Sequence, residues 1–157
     1  MREPAELDAI DRSLVAALTE NARTPNSKLA ASVGIAESTC IARVRGLVAR
    51  GVITRFTATL NPEALGLGLE ALISVNIRAG ARDQIAHFLE EIKAVPQVVQ
   101  VFFLGGAEDF IVHFAARETK DVRDFVTEKL SAHPAVASTR TSMVFEHHYN
   151  GVRPNEW

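Results

Sequence analysis

The chain has 157 residues, 47% hydrophobic and 23% charged, enough for one ordinary domain or two small ones and too apolar for a disordered chain. It has no apolar run of about 18 residues, and acidic residues stand at its start where a signal peptide needs an apolar stretch, so a cytoplasmic protein without a membrane partner is expected. Its single cysteine, Cys40, excludes an intramolecular disulfide and a thiolate metal cluster, while the net charge of −2 hides an asymmetry. Residues 1–60 hold eight Lys/Arg against six Asp/Glu, and the remainder is acidic. A basic patch is expected near the start of the chain.

In chain order, Leu7, Ile10, Leu14 and Leu18 recur at spacings of three and four, which predicts an amphipathic helix ending near Asn21. Pro25 interrupts the following segment, and Leu29, Ala30 and Val33 predict a short second helix stopped by Gly34. A third helix is expected from about Glu37 to Arg50, its apolar stripe formed by Cys40, Val44 and Leu47. Two helices joined tightly at Gly34 make a helix-turn-helix. Ala36 stands at the N-cap position where Ser, Thr or Asp is preferred.

Projected at about 100° per residue, Ser38, Ala42, Arg45 and Ala49 lie opposite the stripe of the third helix, flanked by Thr39, Arg43 and Arg50. A small, hydroxylated and basic face can enter a major groove, so Ser38, Thr39, Ala42, Arg43 and Arg45 are the candidate DNA-facing residues. Arg23 and Lys28 are candidate phosphate contacts. An isolated helix with this face would more simply be solvated; the tight preceding helix tips the reading toward DNA.

The β-branched stretch from Val52 to Leu60 predicts a strand, and Asn61-Pro-Glu-Ala-Leu-Gly-Leu-Gly predicts a linker to about residue 68. Residues 1–60 then form one domain and 69–157 a second. In the second, strands are expected at Leu69 to Ile77, Val98 to Leu104, Phe110 to Ala116 and Val136 to Phe145, with helices at Arg82 to Ala94 and Lys120 to Ser131. This βαββαβ order gives an α+β, ferredoxin-like sheet with both helices on one face. The strands at 98 and 110 are apolar at nearly every position, so the other face is expected to be covered, most simply by a second copy.

Gly66-Leu-Gly-Leu-Glu-Ala lacks the preceding strand that a dinucleotide site requires. His147 and His148 are neighbours that a strand would point to opposite faces, and His87, His113 and His133 are dispersed, so no metal is expected. No nucleophile elbow or catalytic carboxylate pair is recognisable, so neither an enzyme nor a cofactor is expected. Leu104-Gly-Gly-Ala-Glu-Asp-Phe joins two strands and reads as a hairpin loop whose glycines permit positive φ.

Leu7-Asp8 with Asp11, Asn21-Ala-Arg, Leu29-Ala with Val33-Gly34, Arg43-Val44, Leu47, Gly51-Val-Ile, Ala58 to Pro62 and Gly106 to Phe110 occur in an order that resembles the Lrp/AsnC (feast/famine) family of transcription regulators. The resemblance implies a winged helix-turn-helix, an ACT-like sensing domain, homodimers through that domain and often octamers. It also implies an amino-acid effector near Gly105, Gly106, Glu108 and Asp109, with Ser138, Thr139 and Thr141 nearby. Ala36 and Ala135 depart from a usual serine and glycine, and Glu108 from a usual aromatic. The competing reading is a small-molecule-binding regulatory subunit that acts on a protein partner and carries a degenerate helix-turn-helix; DNA binding separates the two.

Overall fold

The computed structural model describes residues 6–149. The chain divides into two compact units, the first ending its main run at Thr59 and the second running Leu60–His148. The first holds α1 (Ala9–Glu20), α2 (Asn26–Val33) and α3 (Glu37–Ala49). Asp8 caps α1 by accepting a hydrogen bond from the Asp11 N–H at 2.7 Å. Gly34 ends α2 at φ 69°, the left-handed conformation in which a residue without Cβ carries no steric penalty. There the Ile35 N–H turns back to the Ala30 carbonyl at 3.0 Å. Leu14, Leu29, Cys40 and Leu47 are buried together where the helices meet.

One expectation fails here. Val52 to Leu60 is not a strand: the Val52 and Ile53 N–H groups both return to the Leu47 carbonyl, at 2.9 and 3.2 Å, and residues 54–60 are exposed and unladdered. β-branched residues favour extended backbone, but a strand also needs a partner, and among the described residues this segment has none. The wing is therefore absent as a paired element.

The second unit is the α+β fold expected. β1 (Leu69–Ile77), α4 (Ile85–Lys93), β2 (Val98–Phe103), β3 (Phe110–Ala116), α5 (Thr119–Asp124) and β4 (Val136–Val144) follow in order. The strands form an antiparallel sheet in the order β2-β3-β1-β4. A 3-10 turn over Ala79–Gln84 precedes α4, and a π-helical segment, Phe125–Ser131, continues α5. The expected helices, Arg82 to Ala94 and Lys120 to Ser131, take in the end of the first region and all of the second, because spacing does not reveal the hydrogen-bond step, which is set locally.

Alternate residues of β1 and β3 face the helices, including Ile73, Val75, Phe110 and Val112, all fully buried beneath Phe88 and Leu130. Phe114 stacks on Phe125 with ring centroids 4.2 Å apart. The opposite face is more polar than the apolar runs suggested. It carries Ile111 and Ala115, but also Glu70, Ser74, Gln100 and His113, and Leu72 and Phe102 remain partly exposed on it. The run from Phe110 to Ala116 reads as uniformly apolar because its helix-facing residues are all hydrophobic and His113 is the one polar residue between them.

A Cβ at Gly34 would meet nothing within 4 Å, so Gly34→Ala tests the backbone conformation alone. We expect a loss of about 1–2 kcal/mol, read as a lower urea midpoint with an unchanged slope.

Candidate nucleic-acid interface and effector loop

The first-unit site is built from α1 and α3. Asp11 lies on the buried stripe of α1, spaced four from Leu7 and three from Leu14, and is 5% exposed. A carboxylate held there needs partners. Arg43 supplies one at 2.9 Å to Oδ1 and Arg50 another at 2.6 Å to Oδ2. The two arginines are seven residues apart, two turns along one side of α3. Arg43 also reaches Asp8 at 2.6 Å, and Arg50 donates to the Glu6 carbonyl at 2.9 Å. The bond from the Asp11 N–H, then the Arg43 guanidinium, holds the Asp8 carboxyl below the usual carboxylate range. Bonds to Asp8 and then Asp11 raise Arg43 in turn.

Arg43, grouped by sequence with the DNA-facing residues, is thus half-buried against α1. A helical projection locates it on the flank of α3 but carries no information about a carboxylate arriving from another helix. Ser38, Ala42 and Arg45 are exposed along the other side, Thr39 is exposed one turn before Arg43 on the same flank, and Arg23 and Lys28 are exposed on the preceding segments. No acidic group lies within ion-pair distance of Arg45 among the described residues. Ala36 offers no side-chain cap to α3. The Cys40 thiol, in the core, is pushed up by burial and then by Glu37.

In the second unit the loop between β2 and β3 is fixed by Asp109. Its backbone N–H donates to the Val75 carbonyl at 3.1 Å and its carbonyl accepts from the Leu104 N–H at 2.8 Å. Its carboxylate accepts from the Ile77 N–H at 2.8 Å and lies 3.3 Å from Arg82. Asp109 is therefore already engaged, a role that the sequence did not signal. Gly105 and Gly106 are exposed with room around them, but neither has a positive φ, so the loop does not use glycine as expected. Glu108 pairs with Arg140 of β4. Thr139 and Thr141 pair with Val75 and Ile73 and share the helix-side face of the sheet. Ser138 lies on the other face, where Asn76 donates to it at 3.3 Å. The three hydroxyls do not converge.

An exposed hydroxylated and basic recognition-helix face, on a chain whose second unit is a βαββαβ fold, defines a helix-turn-helix DNA-binding regulator. The sequence profile of the AsnC-type helix-turn-helix domain matches residues 7–48, and that of the Lrp/AsnC ligand binding domain matches residues 70–153. The chain is 52% identical to the HTH-type transcriptional regulator AldR of Mycobacterium tuberculosis over 92% of its length and 80% of AldR. It is 33% identical to the transcriptional regulator AzlB of Bacillus subtilis over 88% of each chain. A crystal structure of MtbAldR superposes with a TM-score of 0.75 at 46% identity, covering 93% of this chain and 99% of that one. The NMB0573/L-Met complex from Neisseria meningitidis superposes at 0.88 with 29% identity, covering 96% and 99%. The chain belongs to the Lrp/AsnC family of DNA-binding transcriptional regulators. Among the described residues no helix is long and apolar enough to cross a membrane.

Asp8→Asn keeps a good helix cap and removes the charge. Because the folded-state pKa of Asp8 is depressed, its contribution is present above the unfolded value of about 4 and is lost as pH falls through the lower folded value. The melting-temperature advantage of the wild type over Asp8→Asn is expected to hold near neutrality and to close on acidification below about pH 4.

Proposed function

We propose that the chain reads double-stranded DNA with Ser38, Thr39, Ala42 and Arg45 and holds phosphates with Arg23 and Lys28. The observation that carries this reading is the division of labour on α3: Arg43 and Arg50 are tied to α1, and Arg45 alone of the three arginines extends from the exposed face. Arg43 then serves DNA indirectly, by fixing the angle of α3. The protein acts as a homodimer that assembles to an octamer, an arrangement supported by the family resemblance and by the partly exposed Leu72 and Phe102 on the outer sheet face.

Its operator affinity responds to an amino acid. Support comes from the L-Met bound in the relative from Neisseria meningitidis and from the loop held by Asp109. Glu108 and Arg140 present opposite charges side by side, which a zwitterion can separate, its ammonium on Glu108 and its carboxylate on Arg140. A ligand preferring one assembly shifts the spacing of paired recognition helices and hence DNA affinity.

Sequencing of genomic fragments retained at ordinary salt, with and without a mixture of amino acids, tests both claims; retention of no fragment refutes DNA reading. On the fragment recovered, Arg45→Ala is expected to cost about 1–3 kcal/mol and relax preference at one base pair. Arg43→Ala is expected to weaken all sequences alike and to lower the melting temperature of the protein. Glu108→Gln is expected to reduce amino-acid binding by calorimetry while ligand-free DNA binding is retained.

A further inference from the structure

We propose that Glu70, His113 and His147 form a binding site for a divalent transition ion of the zinc class, on the sheet face away from the helices. His113 sits on β3 and is 4% exposed. Its Nε2 lies 2.5 Å from Glu70 Oε2, supplied by the neighbouring strand β1. Beyond the end of β4 the chain brings His147 to the same carboxylate, with Nδ1 3.8 Å from Oε2. The two imidazoles meet edge to face at 5.4 Å. All three ligand atoms lie within 4.8 Å of one another. In a tetrahedral site with bonds of about 2.0–2.2 Å, ligand atoms stand about 3.3 Å apart. The observed separations fall on either side of that value, so small side-chain rotations suffice.

Two imidazole nitrogens and one carboxylate oxygen suit a borderline ion such as zinc, with the fourth position left to water. His147, the ligand outside the strands, is half-exposed in the single chain.

The second shell decides whether His113 can serve. Gln100 places its amide 3.3 Å from His113 Nδ1. With the amide nitrogen donating there, the ring proton sits on Nε2 and bonds Glu70. A half-turn of that amide puts its oxygen at Nδ1, the ring proton moves to Nδ1, and the Nε2 lone pair is released for the metal.

A second trio of His87, Glu91 and His133 is equally compact, yet it lacks this freedom. His133 Nδ1 accepts the backbone N–H of Ala135 at 3.1 Å, a donor that cannot turn. The proton is therefore held on Nε2, the atom facing Glu91, and the lone pair a metal needs is missing. The two clusters thus make opposite predictions.

The test uses the full chain, tag-free and stripped with chelator, titrated with Zn²⁺ by calorimetry. The expected result is one ion per chain, with loss of binding in His147→Ala, whose side chain lies outside the strands. Gln100→Ala is expected to bind about 10–100-fold more weakly, and His87→Ala to bind as the wild type does. Co²⁺ in place of Zn²⁺ should give the intense visible bands of tetrahedral nitrogen and oxygen coordination. Absence of stoichiometric Zn²⁺ binding by the wild type overturns the proposal. So does wild-type affinity in His147→Ala, or a loss in His87→Ala equal to that in His147→Ala.

Discussion

A carboxylate in an apolar stripe organises the DNA-binding unit. Asp11 occupies a position on α1 that periodicity assigns to the core, and an ionised group there is tolerable only with partners close by. Arg43 and Arg50 meet that demand from a single side of α3. The recognition helix is thereby fastened to α1 at two points two turns apart, which restrains its rotation as well as its distance. Leu14, Cys40 and Leu47 pack together in the core of the same unit, and hydrophobic contact alone, being non-directional, would fix that rotation less firmly. The exposed face of α3 follows from this fastening, because the side that binds α1 determines which side is left.

The second unit obeys a different constraint. β1 pairs with β3 on one edge and β4 on the other, so anything that fixes the end of β1 also fixes both neighbours. Asp109 does so from the loop between β2 and β3, taking the Ile77 N–H and facing Arg82. A group that appears, in a loop of glycines and carboxylates, to be available for a ligand is instead part of the frame that holds the loop. Glu108, one residue earlier, keeps its charge at the surface against Arg140. Adjacent carboxylates therefore have separate tasks.

Much of the architecture was legible because it rests on periodicity. The bounds of β1 and β3 match the apolar and β-branched runs, and Gly34 ends α2 where the chain requires a left-handed residue. Periodicity also bears on the buried ion pairs. Asp11 lies four after Leu7 and three before Leu14, so its burial was available from spacing, and Arg43 and Arg50 were basic residues at a spacing able to reach it. Ser138 and Thr139 are neighbours on a strand, which already excludes a shared face. Other features depend on partners that sequence spacing does not supply. The stretch from Val52 to Leu60 has strand composition and no ladder, and His113 acquires its polar neighbours only when three strands are laid side by side. The same holds for His147, whose sequence neighbour His148 turns to Glu146 while His147 itself turns to Glu70.

Cys40 is the chain's single cysteine, and it is fully buried in the core of the first unit. With its thiol pushed up by burial, it presents little thiolate and stays inert to alkylating or oxidising reagents while that core is closed. Chemical modification therefore waits on opening of the three-helix unit. The rate of labelling at this one sulfur becomes a clock for opening of the DNA-binding half, obtained from the native sequence without adding a probe.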